Sequence, residues 1–383
     1  MKMKKTLSLL LALTLVLSLG SIAFADDTVK IGGIGPTTGG AAIYGQAVMN
    51  GAQIAVDEIN AAGGINGIQI DYKFEDDVAD GETAVNAYNS LMDWGMQLLL
   101  GPVTTGSAIA VSAEAFNDRV FAMTPSASST DVTADKDNMF QLCFTDPNQG
   151  TGSADYMAEN MAGSKVYVIY KNDDAYSQGI YDTFKATADA TDAIEVVGVG
   201  TFTEDTATDF SVQLNAAKAA GADVVYLPIY YTPASVILNQ AKAMDYAPTF
   251  FGVDGMDGIL TLEGFDTSLA EGVMLLTPFV ADAEDELTQN FVAEYQKRFN
   301  EVPNQFAADG YDVVYALKAA FEAAGCTADM SYADICDAMI AAVTAEGFSV
   351  DGLTGTAMTW GTNGEVSKSP RAMVIKDGAY TAA

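Results

Sequence analysis

Hydroxyl-bearing residues gather at two turns in the first half of the chain, and acids and phenols at four points in the second. The first-half turns are Thr104-Thr105-Gly106-Ser107 and Ser126-Ala127-Ser128-Ser129-Thr130. Each follows an apolar run and precedes helical or turn backbone, so each offers free N–H groups beside hydroxyls. That is the chemistry of a small anion site. Each turn taken alone is equally compatible with ordinary capping by Ser and Thr. The second half places Asp146, Tyr176, Tyr230-Tyr231 and Asp254 at the ends of predicted strands or the starts of helices. Carboxylates and phenols suit an ammonium group and an apolar body. Acids at solvated turns are ordinarily surface charge, so the pairing carries the argument. One half presents donors for a carboxylate and the other presents acids for an amine, and a free amino acid carries both groups on one carbon.

Composition narrows the alternatives. The chain has 383 residues, no histidine, 18 Lys+Arg and 51 Asp+Glu, for a formal net charge of −33. Without histidine, no Ser-His-Asp triad, Cys-His dyad or imidazole-dependent zinc site can be built. Three cysteines without a paired spacing give no metal signature, and no cofactor motif is met. The glycines of Gly35-Pro36-Thr37-Thr38-Gly39-Gly40 miss the dinucleotide-loop spacing. So acidic a chain, with three arginines, does not suit nucleic acid or an anionic membrane surface. Cys326 and Cys336 could bridge, leaving Cys143 over; burial of all three as small apolar residues is as good a reading.

The elements that must position these groups alternate between strand and helix. Met1–Lys5 is basic, Leu7–Leu19 is apolar, and Ala23-Phe24-Ala25 offers a small-residue cleavage site, the layout of a secretory signal peptide over residues 1–25. No later stretch reaches the ~20 apolar residues of a membrane span. Strands are predicted at Thr28–Gly35, Ile68–Phe74, Gln97–Leu100 and Val120–Met123, with helices between them. The pattern restarts at Phe140–Phe144 and runs through strands near Lys165–Tyr170, Ile194–Gly200, Asp223–Ile229, Thr249–Val253 and Gly272–Leu276. Alternation of this kind implies parallel sheets with helices on both faces, and the length implies two doubly wound α/β lobes. The last third is helical: Leu287, Phe291, Tyr295 and Phe299 make one apolar stripe, and Tyr311, Val314, Tyr315 and Phe321 another. Short β runs are expected near Gly355–Thr359 and Ala372–Ile375. In open sheets of this class, ligands bind beyond the carboxyl ends of the strands, where the turns above fall.

These segments resemble the branched-chain amino-acid-binding protein family, the type I solute-binding proteins of ABC importers. The resemblance is carried by Val29–Gly39 with Tyr44-Gly45, by Ala52–Gly67 with its Asn60-Ala61-Ala62-Gly63-Gly64-Ile65-Asn66-Gly67 run, and by Gly101–Ser107, Thr124–Ser128 and Asp174–Gly179. It implies a ligand held in a cleft between two hinged lobes and delivered to a membrane permease by an exported, monomeric protein with no enzymatic activity. By similarity, Thr105 and the Ser126–Ala127–Ser128 turn would hold the ligand carboxylate and help hold its ammonium. Tyr231 would reach the carboxylate from the other lobe. Asp254, where the family often has Glu, and Asp146 would face the ammonium, and Tyr44 and Tyr176 would line the side-chain pocket. Three interlobe crossovers are implied near Phe144–Pro147, Leu276–Phe279 and Thr354–Ala357. One lobe would comprise residues 26–145 and 278–354, the other 146–277 and 355–383. Rival readings are the same fold binding another amino acid, a short amide or urea, or an aromatic acid; a ligand-sensing module for a receptor; and a secreted glycosidase using Asp76-Asp77 and Asp173-Asp174.

Overall fold

The computed structural model describes residues 28–383, and the expected signal segment, residues 1–25, lies outside them. Two sheets organise the chain. The first contains β1 (Thr28–Gly35), β2 (Gln69–Asp76), β3 (Leu98–Leu100), β4 (Phe121–Thr124) and β5 (Met139–Gln141), all parallel, in the order β2-β1-β3-β4-β5. The second contains β6 (Lys165–Lys171), β7 (Glu195–Phe202), β8 (Val224–Leu227), β9 (Thr249–Gly252), β10 (Met274–Thr277), β11 (Arg371–Lys376) and β12 (Ala379–Ala382), in the order β12-β11-β10-β9-β8-β6-β7. Its last two strands pair antiparallel, a departure from the all-parallel lobe expected. The central strands, such as Leu98-Leu99-Leu100, are fully buried because helices cover both faces.

The crossover helices are α1 (Ala42–Ala61), α2 (Gly81–Trp94) and α3 (Thr105–Asp118) in the first sheet's lobe, and α5 (Ala175–Asp189), α6 (Ser211–Ala220) and α7 (Tyr231–Ala243) in the second's. Local signals fix their ends. Asp80 caps α2 by accepting from the Thr83 amide at 2.8 Å, and left-handed Gly95 (φ 91°) stops it. The helices after the second sheet's parallel strands are α8 (Glu286–Phe299), α9 (Gln305–Ala323) and α10 (Tyr332–Val343), and they return to the first lobe. There α9 lies close on α1: a Cβ on Gly51 would stand 1.9 Å from the Ala307 carbonyl oxygen, and one on Gly310 would stand 2.4 Å from that of Val48. Of the two expected stripes, Phe291, Tyr295, Tyr311, Val314 and Phe321 are buried, whereas Leu287 stays 39% exposed.

Two groupings differ from expectation. The run at Phe140–Phe144 does not restart the pattern; its strand, β5, is the last of the first sheet. Gly355–Val366, assigned to the second lobe, instead meets the edge of the first sheet. Gln141 N donates to the Gly364 carbonyl at 2.8 Å, and the Trp360 indole N–H donates to the Gln141 carbonyl at 2.8 Å. Trp360 and Val366 are joined by a single antiparallel bridge, so this buried corner lacks the long alternating run that marks a strand. The third crossing therefore falls between Val366 and Arg371, later than Thr354–Ala357. The first lies between β5 and α4 (Asp146–Asn160), which packs on α5, and the second between β10 and α8.

The third crossing carries a buried charge cluster. Lys368 Nζ lies 3.1 Å from Asp309 Oδ1 on α9 and donates to Thr354 Oγ1 at 2.6 Å, with both charged side chains 2% exposed. Asp312, one residue short of a turn further along α9, accepts from the Leu353 and Thr354 amides at 2.8 Å each. All three cysteines are free and buried. No helix among the described residues is long and apolar enough to cross a membrane.

Candidate functional site

The carboxyl ends of the two sheets face each other across the crossovers, and the turns there make the site. From the first lobe come the Val103–Thr105 turn into α3, the Ser126–Ser128 turn after β4, Tyr44 on α1 and Phe306 on α9. From the second come Tyr176 at the start of α5, Tyr230-Tyr231 at the start of α7 and the Asp254–Met256 turn after β9. Tyr44, Val103, Thr104, Ser126, Tyr176, Tyr230, Asp254, Gly255 and Phe306 wall one cavity. It is nearly closed: about 10 Å³ remains, room for at most one water. The lobes touch through it. The Tyr44 hydroxyl donates to the Gly255 carbonyl, Ile43 N donates to the Tyr231 hydroxyl at 3.2 Å, and the Thr232 hydroxyl donates to the Gly40 carbonyl at 2.6 Å. The rings of Tyr230, Tyr231 and Phe306 surround Tyr44 at centroid distances of 5.2, 4.9 and 4.3 Å. A ligand larger than water enters only if the lobes part.

Asp254 is the charged centre of the cavity. It is 2% exposed, its Oδ1 accepts from the Tyr176 hydroxyl at 2.6 Å, and its amide donates to Gln149 Oε1 at 3.1 Å. Burial pushes its carboxyl up to about 7, against the hydrogen bonds from Tyr176 and Gln149 that favour the charged form. Asp146, the first residue of α4, is equally buried. Its Oδ1 accepts from the Ser128 hydroxyl at 2.6 Å, while Oδ2 has no hydrogen-bond partner in the protein. Burial drives Asp146 well above the carboxylate range, with the Ser128 bond opposing and the Asp254 charge adding. A buried acid in the cavity wall with a second acid behind it, and no Lys or Arg among the walls, favours a cation beside Asp254.

The opposite wall has the converse character. Thr104 occupies the N-cap position of α3 but its side chain makes no capping bond, and both Thr104 Oγ1 and Thr105 Oγ1 are buried without a partner. Ordinary capping therefore does not account for this turn. The helix dipole and these free hydroxyls give it the donors a carboxylate needs. The Ser126–Ser128 turn is more fully engaged. The Ser126 hydroxyl donates to the Val103 carbonyl at 2.7 Å, and the Ala127 amide donates to Thr124 Oγ1 at 3.0 Å. The Ala127 carbonyl accepts from Gln141 Nε2 at 2.8 Å, so Ala127 shapes the turn and has no free backbone group for a ligand.

Of the expected residues, Tyr44, Ser126, Tyr176 and Asp254 wall the cavity. Thr105, Ala127, Ser128, Asp146 and Tyr231 stand behind it, and the Tyr231 hydroxyl is engaged by Ile43. Tyr230, named with Tyr231 among the phenols of the second half, walls the cavity as well. Gln149, Gly255 and Phe306 were not among the expected site residues. Phe306 opens a helix far along the chain, where no strand-end signal exists. The acids of the glycosidase reading hold turns instead: Asp76 accepts from the Thr37 amide at 2.8 Å, and Asp173 accepts from the Glu204 amide at 3.1 Å. Among the described residues no group of acids and cysteines could hold a metal ion.

Two facing α/β lobes with a shared, acid-centred cleft define a bilobal binding protein. The profile of the family described as "Periplasmic binding protein" matches residues 28–379. A Leu/Ile/Val-binding protein homolog 3 from Brucella melitensis is 32% identical over 95% of both chains. The isoleucine complex of the branched-chain amino acid transporter substrate binding protein LivJ from Streptococcus pneumoniae superposes with a TM-score of 0.82 at 29% identity, covering 93% of this chain and 98% of that one. A solute binding protein from R. palustris in complex with benzoate shares the fold, with a TM-score of 0.80 at 21% identity over 92% and 95% of the two chains. The chain belongs to the periplasmic binding proteins, in the branched-chain amino-acid-binding family. It is thus a solute-binding protein of the ABC-transporter type, of an exported family, and not an enzyme.

Proposed function

We propose that the protein captures a free branched-chain amino acid, leucine, isoleucine or valine, by closure of its lobes and presents it to an ABC permease as a monomer. The observation that supports this reading is one closed cavity walled by the buried acid Asp254 from one lobe and the unpartnered Thr104 hydroxyl from the other, with Asp146 and the Thr105 hydroxyl behind it. In the open form the ligand carboxylate docks on the α3 N-terminus and the Ser126–Ser128 turn. Closure then brings Asp254 and Tyr176 to the ammonium, which takes up the buried negative charge. Tyr44, Tyr230 and Phe306 make the apolar surface for the side chain. Bonds to charged groups contribute about 1.5–3 kcal/mol each, so several of them, offset by ordering costs, reach the roughly −8 kcal/mol of a micromolar complex. Closed protein is the form to dock, because ligand shifts the population toward it.

An aromatic or aliphatic acid without an amine is the second reading, favoured by the ring cluster around Tyr44 and by the benzoate-bound relative. It leaves Asp254 and Asp146 buried without a cation. A thermal-shift screen of the purified protein against the twenty amino acids, short amides and aromatic acids decides between them. The proposal expects the largest stabilisation from leucine, isoleucine or valine; stabilisation by benzoates alone contradicts it.

A further inference from the structure

One side chain joins the two faces of the cleft. Ser128, in the hydroxyl turn of the first lobe, is tied to the first turn of α4 in the second. Asp146 N donates to the Ser128 carbonyl at 2.9 Å, the Ser128 hydroxyl donates to Asp146 Oδ1 at 2.6 Å, and Gln149 Nε2 donates to Ser128 Oγ at 3.4 Å. The other end of the same side chain, Gln149 Oε1, accepts from Asp254 N at 3.1 Å. Gln149 is fully buried and spans from the turn that presents hydroxyls to the turn that presents the acid.

The partners fix the direction of these bonds. The Asp254 amide can only donate, so the carbonyl end of Gln149 faces it and the amino end faces Ser128. The Ser128 hydroxyl gives its single proton to Asp146, so it receives one from Gln149. Asp146 and Gln149 stand three residues apart and share a face of α4. The helix is seated tightly: a Cβ on Gly150 would stand 2.1 Å from Thr183 Oγ1 and 2.4 Å from the Ile180 carbonyl oxygen, both on α5. Tyr176, at the start of α5, holds Asp254 through its side chain, as Gln149 does through its amide.

A buried glutamine with both ends engaged is ordinarily a packing device. Here the two ends lie on turns whose separation must match the ammonium and carboxylate of one ligand. We propose that Gln149 is a positioning residue that sets the distance between Asp254 and the hydroxyl turn, and so makes the cleft select α-amino acids over β-amino acids. This role rests on the cleft holding an α-amino acid. Gln149 is not among the residues that wall the cavity, so it acts through Asp254 and Ser128. An extra methylene between amine and carboxylate requires one turn to move against the other, and the Gln149 bonds resist that movement.

The test is calorimetric titration of the wild-type protein and of Gln149→Met with leucine and with β-homoleucine. The second ligand keeps the isobutyl side chain and adds one methylene between the amine-bearing carbon and the carboxylate. Methionine fills similar space and makes neither hydrogen bond. The wild type should favour leucine by at least about a hundredfold, and Gln149→Met should lower leucine affinity about tenfold while leaving that of β-homoleucine in place, so that the preference shrinks about tenfold. A purely structural glutamine would lower the melting temperature and leave the preference intact. Should Gln149→Met fail to fold, Gln149→Asn, which keeps the amide but not its reach, gives the same comparison. A wild type that prefers leucine, with a folded variant whose preference is unchanged, overturns the role of Gln149 alone. A wild type that binds the two ligands equally also overturns it. A wild type that binds neither overturns the amino-acid reading, and this role with it.

Discussion

The Tyr176 hydroxyl donates to Asp254 Oδ1 at 2.6 Å and at the same time accepts from the Gly255 amide at 3.0 Å. One phenol thus ties the cleft's acid to the turn that carries it. The same turn is held from the other lobe by the Tyr44 hydroxyl on the Gly255 carbonyl. Asp254 sits where three rings, one crossover helix and the lobe interface converge, and most of what can be tested follows from its position.

Replacing Asp254 with Ala removes the buried charge without leaving an unpaired carboxylate. Leucine affinity should fall by at least about tenfold, the worth of one hydrogen bond to a charged group. The variant should stay folded, because deleting an uncompensated buried acid relieves a desolvation cost. Calorimetry together with a circular dichroism spectrum checks both halves, and unchanged affinity in a folded variant refutes the assignment.

Proton uptake by Asp254 should compete with the ligand. With its carboxyl near 7, the acid is substantially protonated in mildly acidic solution and cannot pair with an ammonium. Leucine affinity should therefore rise with pH through about 7 and level off above it. Tyr176→Phe removes a hydrogen bond that favours the carboxylate, so the midpoint of this rise should move to higher pH. A midpoint that stays in place, or moves down, contradicts the role given to Tyr176.

Stability of the ligand-free protein should run the other way. Burial raises Asp254 to about 7 and Asp77, Asp257 and Asp309 each to about 6. In the unfolded chain such groups titrate near 3.9. Between these limits the folded state binds more protons than the unfolded one, so stability is full below about 4 for these four groups and is lost as pH rises through 6 and then 7. Melting temperatures across that window should fall with rising pH, and leucine should restore the loss at the upper end. A melting temperature that climbs from pH 4 to pH 7 without ligand would show that other groups dominate.

Lys368 holds the third crossing through Asp309 and Thr354. Lys368→Met leaves Asp309 and Asp312 buried without a cation and should cost roughly 3–5 kcal/mol in chemical denaturation. Adding Asp309→Asn should recover part of it, because the two substitutions act on one interaction. Additive losses would mean that the pair is not coupled.

Much of this architecture was legible in the residues. Buried strands such as Leu98–Leu100 and Phe121–Thr124, and the helices between the strands, read directly because period and punctuation agree. Strand-end turns then gave Tyr44, Ser126, Tyr176 and Asp254. What did not read was set by tertiary contact. Gly355–Thr359 reads as a short β run, and what fixes this segment to the first sheet is tertiary: the bonds from Gln141 N to the Gly364 carbonyl and from the Trp360 indole to the Gln141 carbonyl. β12 is a short edge strand of exposed and half-buried residues, with no fully buried position to give it a pattern. Phe306 enters the cleft because Gly51 and Gly310 let α9 lie against α1, a closeness no single-segment pattern encodes.

The most direct test is paired calorimetry of leucine and 4-methylpentanoate, the same carbon skeleton without its amino group. If Asp254 and Asp146 face an ammonium, leucine binds in the micromolar range and the deaminated acid at least about a hundredfold more weakly. Equal affinity for the two would remove the cation from the cleft, and with it the central claim.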